Sequence, residues 1–421
     1  MTVFSSFYEI ISIRDPMGLS DVEERILRNI DREQTINLLR DLVRIPSPNP
    51  PGDTRLVADF LSQTLEKKGF RPRQFRVEED HVSVVTRIEG SGGGRSLVLN
   101  GHMDTVPIGD PDKWTVDPLA AEIRNEKIFG RGSTDCKGGI AAMVIAAEAV
   151  RKAGVSLRGD VILAMVAGEE TLSDKGTGHL IKEGWIKADA GVVTEPTTLP
   201  VEDHASQPLQ IFTASRGMFW VEIAVKGKAV HSKIAHLGVN AIEKMAKIIL
   251  ALQGIRFDPH LEHPLCGRPS INIGLISGGT SPSVVPDRCV ITVDRGVVPG
   301  ENGATVVEQI KGIVEKLKEE DSALNAEAKA LLTEGPVEIS QDEPIVTIFN
   351  QGIEDAFGVK AKIGGMIGAN DSRLLIREGI PAVVCGPGIT TQSHNIDEYV
   401  EIDAVVNAAK AYALLMGRFC E

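Results

Sequence analysis

The stretch Ser96-Leu-Val-Leu-Asn-Gly-His-Met-Asp-Thr-Val-Pro107 decides how this chain is read. Leu97-Val98-Leu99 is a short apolar run of the kind that fills a buried strand. The strand is expected to end on Gly101, with His102 and Asp104 two residues apart just beyond it. Side chains two apart in extended backbone share a side, so a carboxylate can lie beside an imidazole at a strand end. A carboxylate on the far ring nitrogen fixes the tautomer of a metal-binding histidine and raises its basicity. By itself a His-x-Asp pair is more often a chance feature of a polar turn. The segments downstream reverse that judgement.

Gly130-Arg-Gly-Ser-Thr-Asp-Cys-Lys-Gly-Gly139 sets Asp135 just ahead of an apolar helical run from Ile140 to about Val150. A helix N-terminus favours an anion there. Gly159 to Glu170 is a second buried strand that ends on two adjacent carboxylates, Glu169 and Glu170. Such charges are costly after an apolar run unless a cation receives them. A helix-capping pair is the weaker reading, because one glutamate would cap as well as two. A third strand at Ala190 runs into Glu195, and a late strand, Ala382 to Cys385, leads into a loop holding His394. Polar groups thus recur at the C-terminal ends of strands in an alternating strand–helix pattern, where open α/β sheets place their ligands. The glycine-rich loop before Ile140 matches neither the dinucleotide nor the nucleotide fingerprint.

Length and composition bound the rest. A chain of 421 residues exceeds the size at which one core usually stops growing, so two domains are expected. Acidic residues outnumber basic ones 58 to 45, a formal charge of -13. That balance argues against nucleic acid as the partner, since phosphate binding needs a basic footprint. The five cysteines are scattered without paired spacing, which fits a reducing compartment better than a disulfide framework. No signal peptide or membrane-length apolar run is legible, so a cytoplasmic protein is expected. Residues 1 to about 20 read as an extension, and no internal repeat is apparent.

After about Gln207 the texture changes to alternating strands, with helices at Val239–Leu252 and Thr305–Glu320. The expected fold class is α/β. Residues 1–208 and 334–421 form a catalytic domain with a mixed, mostly parallel sheet between helices. Residues 209–333 form an inserted α+β domain, a four-stranded antiparallel sheet with two helices. Five candidate ligands (His102, Asp135, Glu170, Glu195 and His394) then stand at loop positions of one domain. Two imidazoles and three carboxylates suit zinc, with cobalt or manganese as alternatives. Two ions sharing one carboxylate would each keep two private ligands and leave room for a water. Glu169, beside a ligand but directed elsewhere, could take that water's proton.

These segments, with Gly168-Glu-Glu170, Thr194-Glu-Pro-Thr197 and His394, resemble the co-catalytic zinc exopeptidases. That family includes acetylornithine deacetylase, succinyl-diaminopimelate desuccinylase, aminoacylase, carnosinase-type dipeptidases and glutamate carboxypeptidase. The match runs in order from about Thr35 to Cys420. It implies that His102 and Glu195 hold one metal, Glu170 and His394 the other, and Asp135 both. It further implies that Asp104 orients His102, that Glu169 is the general base, and that the Asp135–Cys136 peptide is cis. The inserted domain would act as a lid and join two subunits as a homodimer. His231 would reach the partner's active site and stabilise the tetrahedral intermediate.

The resemblance departs from the family pattern in the segments expected to hold the substrate. Ser283 stands where the family often has asparagine. Arg295 directly follows Asp294, so an arginine expected two residues after that aspartate is displaced by one, onto the opposite strand face. The segment Gly368-Ala-Asn-Asp-Ser-Arg373 places Asn370 and Arg373 among the candidate contacts. The implied activity is hydrolysis of an amide in a small N-acyl amino acid, with a dipeptidase or carboxypeptidase as the alternative. A non-catalytic binding protein on the same fold is a third reading, weakened because no ligand or base is missing.

Overall fold

The computed structural model describes residues 18–198 and 209–421. All but the last three residues of the expected N-terminal extension lie outside them. The chain divides into two compact units. One takes in the chain up to Ile211 together with Gln341–Lys362 and Ile380–Glu421. The other comprises Phe212–Ser340 and Ile363–Gly379, so it includes a return segment that sequence texture assigned to the first domain.

In the first unit, strands β1 (Arg73–Arg76), β2 (Val82–Ile88), β3 (Leu97–His102), β6 (Val161–Val166), β7 (Ala190–Val193) and β15 (Ala382–Val384) lie in the order β1-β2-β6-β3-β7-β15. β3 runs parallel to both β6 and β7, and β7 parallel to β15, while β1 and β2 form an antiparallel margin. The sheet is therefore mixed with a parallel centre. Every residue of β3, β6 and β7 is buried, as expected of strands covered on both faces.

Helices α2 (Arg32–Arg44), α4 (Gly138–Lys152) and α10 (Ile402–Phe419) pack together. α4 is buried at every residue from Gly138 to Val150. Its alanine-rich surface explains how it fits between neighbours: small side chains let backbones approach on all sides. A separate three-stranded ribbon joins β4 (Glu122–Arg124), β5 (Lys127–Phe129) and β16 (Tyr399–Glu401), with Tyr399 opposite Phe129.

The second unit is built on an antiparallel sheet of β9 (Gly217–Lys226), β10 (Ser270–Gly278), β11 (Arg288–Val297) and β12 (Asn325–Glu334), in the order β10-β11-β9-β12. Along β9 and β11 buried residues alternate with more exposed ones, so one face carries the core. Val221, Ile223, Val225, Ile291 and Val293 meet Met245, Ile248 and Leu252 of α6 (Ala241–Gln253) and Ile310 and Val314 of α7 (Gly303–Glu320). Fold class thus follows the sequence-level expectation in both parts.

Candidate metal centre

His102 closes β3, and its ring is 1 % exposed. Nδ1 lies 2.8 Å from the main-chain carbonyl of Asp104, which can only accept. The ring proton is therefore on Nδ1, and the Nε2 lone pair faces inward. Nε2 lies 2.9 Å from Asp135 Oδ1 and 3.3 Å from Glu195 Oε1. A neutral imidazole lone pair aimed at two carboxylates is tenable only with a proton or a metal cation between them.

Asp135 sits in a tight turn, Ser133–Lys137, entered through Gly132 at φ 84°. The Asp135–Cys136 peptide is cis, as the resemblance implies. Its two oxygens diverge. Oδ1 meets His102, while Oδ2 lies 3.4 Å from His394 Nε2, which is also 3.3 Å from Glu170 Oε2. The other Glu170 oxygen accepts from the Val106 amide at 3.1 Å, which turns Oε2 toward the histidine.

Glu195 is positioned by two glycines. A Cβ on Gly139 would lie 2.4 Å from the Thr194 carbonyl oxygen, and one on Gly386 2.1 Å from it. Only residues without a side chain let α4 and the segment after β15 close on Thr194. Cys136 also faces this corner. Its Sγ accepts from the His102 amide at 3.1 Å, and burial pushes the thiol up to about 12.

Asp104 meets the His102 ring mainly through its backbone. Its carboxylate lies 3.7 Å from His102 Nδ1, and its carbonyl takes the ring proton instead. The carboxylate is occupied elsewhere: it accepts from the Glu169 and Glu170 amides at 3.2 Å each and from Asn49 Nδ2 at 2.8 Å. Asp104 therefore fixes the ring through its backbone and the Glu169–Glu170 turn through its side chain.

Charge crowding marks this cluster. Burial and the neighbouring Asp135 charge push Glu195 up to about 8. Hydrogen bonds to Asp135 and Glu170 raise His394 to about 10. Burial opposes charge on His102, yet Cys136, Glu195 and Asp135 hold its pKa well above the usual histidine value. Asp135 stays well below the usual carboxylate range because its hydrogen bonds to both histidines outweigh burial. Protons on the histidines thus occupy positions that cations would take. Nitrogen and carboxylate oxygen donors suit a divalent cation, and His102, Asp135 and Glu170 offer atoms within 4.8 Å of one another.

Several contributors were not legible in the sequence. Asn49, in the proline-rich loop, bonds both Asp104 and Thr171. Lys137, 1 % exposed, donates to the Ile45 carbonyl at 2.7 Å. Arg131 and Glu398 form a buried pair at 2.6 Å beside Asp135. Arg131 and Lys137 fall within the quoted glycine-rich segment, but the partners that engage them, and those of Asn49 and Glu398, are set only by folding.

The remaining candidates lie in the second unit. His231 is exposed, and its Nδ1 accepts from the Lys233 amide at 3.1 Å. Its neutral ring therefore carries the proton on Nε2, available for donation. Ser283 is exposed nearby: its carbonyl accepts from the Ser232 amide at 2.9 Å, and its hydroxyl lies 3.0 Å from that of Ser281. Arg295 and Arg373 do not present themselves to a ligand. Arg295, 2 % exposed, pairs with the buried Glu301 and stacks over Phe257 at 4.4 Å. Arg373, 3 % exposed, donates to Glu334 at 3.0 Å and to the Asn370 carbonyl at 2.9 Å. Asn370 itself is engaged with Ser215 and the Ser372 amide, each at 2.9 Å. Arg295 was a candidate substrate contact, but on the strand face to which its one-residue displacement assigns it the side chain enters the unit's interior.

The site is a cluster of two histidines and three carboxylates at the C-terminal edge of a mixed sheet, buried around His102 and open to solvent at His394. The sequence pattern of Peptidase family M20/M25/M40 matches residues 98–418, and the chain belongs to that family. It is 25 % identical over 423 residues to an N-formyl-4-amino-5-aminomethyl-2-methylpyrimidine deformylase of Halalkalibacterium halodurans, covering 96 % of this chain and 98 % of the relative. It is 26 % identical to a succinyl-diaminopimelate desuccinylase of Thioalkalivibrio sulfidiphilus, covering 91 % and 98 % respectively. The fold is shared with an M20 family metallo-carboxypeptidase of Sulfolobus solfataricus, at a TM-score of 0.76 and 21 % identity, covering 91 % of this chain and 99 % of that one. It is also shared with human carnosine dipeptidase 1, at a TM-score of 0.75 and 17 % identity, covering 95 % and 99 %.

Proposed function

We propose that the chain hydrolyses an amide bond of a small N-acyl substrate, using two divalent ions held by His102, Asp135, Glu170, Glu195 and His394. The observation that carries this reading is the division of Asp135, one oxygen to each histidine at 2.9 and 3.4 Å. Each histidine also faces a second carboxylate, Glu195 or Glu170, at 3.3 Å, so three carboxylates converge on two imidazoles and a further cation is needed to balance them. Zinc is the first choice for this donor set, with cobalt or manganese as alternatives. Such ions supply Lewis acidity and lower the pKa of an attacking water.

Within that frame His102 and Glu195 hold one position, Glu170 and His394 the other. Glu169 takes the water's proton and returns it to the leaving amine. Its amide is tied to Asp104, so the base is set on a fixed turn. His231, with its proton on Nε2, stabilises the developing oxyanion. The N-acyl amino acid reading and its dipeptide or carboxypeptidase alternative draw on relatives of those activities. The deformylase likeness across nearly the whole chain favours including N-formyl amines as well. A cytoplasmic setting is supported by five cysteines that are all unpaired. Among the described residues no helix is long and apolar enough to cross a membrane.

The test is a panel of N-formyl, N-acetyl and N-succinyl amines and dipeptides, assayed before and after chelation. Chelation should abolish turnover of the best substrate, and zinc or cobalt should restore it. Full activity in protein stripped of metal would sink the proposal. Glu169→Gln should lower kcat by about 10²- to 10⁴-fold with metal content near two per chain. Loss of metal instead would mean that Glu169 and Glu170 exchange roles.

A further inference from the structure

We propose that the buried pair Arg131–Glu398 is a positioning device that binds His394 to Asp135 and so builds the second metal position. This rests on the two-ion reading above. Glu398 and Arg131 are 0 % and 4 % exposed. One Glu398 oxygen accepts from the Thr134 amide at 2.9 Å and the Asp135 amide at 3.1 Å. The other accepts from Arg131 Nη1 at 2.6 Å, and Arg131 Nη2 donates to the His394 carbonyl at 3.3 Å. A single ion pair thus touches the backbone of both residues.

The three-stranded ribbon puts the pair together. Tyr399 lies opposite Phe129, and the Gly130 amide donates to the Glu398 carbonyl at 2.9 Å. This register delivers Arg131 from one strand end and Glu398 from the other. The indole of Trp114 lies 5.3 Å from the Arg131 guanidinium and helps exclude water.

The two halves of the centre need this device unequally. His102 is buried in β3 and held by a backbone carbonyl at 2.8 Å. His394 sits in a loop with its side chain 52 % exposed and its backbone at φ 66°. Left-handed backbone at a non-glycine residue is strained and persists only where the surroundings impose it. Arg131 supplies that restraint at the carbonyl of the strained residue. Glu398, through the Asp135 amide, sets the carboxylate shared by both positions.

Weakening a partner outside the ligand sphere typically costs about 10- to 100-fold in metal affinity. Arg131→Met keeps the length of the side chain and removes its donors. Titrations of the chelated protein with cobalt, followed by calorimetry and visible absorption, should give two equivalents for the wild type. In Arg131→Met the equivalent assigned to His394 and Glu170 should weaken by about 10- to 100-fold while the other changes little. His394→Ala should remove that same equivalent and so identify its absorption band. Glu398→Gln, which keeps an acceptor for the two amides, should fall between wild type and Arg131→Met. It also decides the matter if Arg131→Met does not fold. Equal weakening of both equivalents, or unchanged binding, would overturn the positioning role while leaving the two-ion reading intact. A wild-type protein that takes up fewer than two ions would overturn that reading, and this inference with it.

Discussion

At the scale of single residues, Asp104 carries more of the centre than its place in the His-x-Asp motif suggests. Its carbonyl sets the His102 tautomer, and its carboxylate collects two amides and the Asn49 side chain. An asparagine here would turn an NH₂ group toward donors, leaving at least one buried amide without an acceptor. Such a loss costs about 1–3 kcal/mol. Asp104→Asn should therefore lower the melting temperature of the chelated protein, where metal affinity cannot contribute. An unchanged melting temperature would mean that the Glu169–Glu170 turn is held by other contacts. The motif itself was legible, because two residues of extended chain fix which groups can meet. Which oxygen of Asp104 meets the ring was not, since that depends on what else the carboxylate finds.

Elements show the same division. Helix α1 (Asp21–Arg28) begins with a capping box in which Ser20 and Glu23 satisfy each other's backbone donors. Glu23 also pairs with Arg418 of α10 at 2.5 Å, and Arg418 reaches Asp355 at 2.7 Å. Burial opposes charge on Glu23, but Arg418 and the Ser20 contacts hold its pKa below the usual carboxylate range. A carboxyl with a depressed folded-state pKa contributes stability above its unfolded pKa and loses it as pH falls through the folded one. Arg418→Ala should thus cost most near neutral pH, with the difference from wild type shrinking in acid. Thermal unfolding at several pH values checks the sign. Thr54 makes the contrast. It precedes α3 (Arg55–Lys67), as a cap should, yet its hydroxyl makes no cap bond and instead meets the Val82 backbone at 2.9 Å. Tertiary packing overrode a local preference. Gly386→Ala tests another such contact. A Cβ 2.1 Å from the Thr194 carbonyl oxygen forces the segment apart, for about 1–3 kcal/mol and a displaced Glu195.

For the whole molecule, assembly through the second unit is the remaining proposal. Strand β10 is the margin of its sheet, with Leu275 and Ile276 68 % and 61 % exposed. On α6, Leu250 is 68 % exposed. A long apolar edge strand is a liability in a monomer, so a second copy is the expected cover. Light scattering should give a dimer, and Leu275→Lys with Ile276→Lys should give a monomer. If His231 acts across the dimer, mixing His231→Ala and Glu169→Ala under subunit exchange should restore part of the activity. No recovery despite proven exchange would place His231 in its own subunit's site or outside catalysis.

What the chain alone determined was the inventory of the site and the order of its layers. Buried strands announce themselves by apolar runs, and ligands follow them because α/β sheets expose groups at strand ends. The five candidate ligands and Glu169 were picked out for that reason. Only tertiary structure decided how the candidates divide between ligand and scaffold. Arg295, Asn370 and Arg373 look like substrate contacts in sequence, but folding gives each an internal partner. Arg131 and Glu398 drew no notice in sequence, yet folding buries them together beside Asp135. Sequence carries periodicity and local spacing. The pairing of charges 267 residues apart depends on strand register, which exists only once the chain has closed on itself.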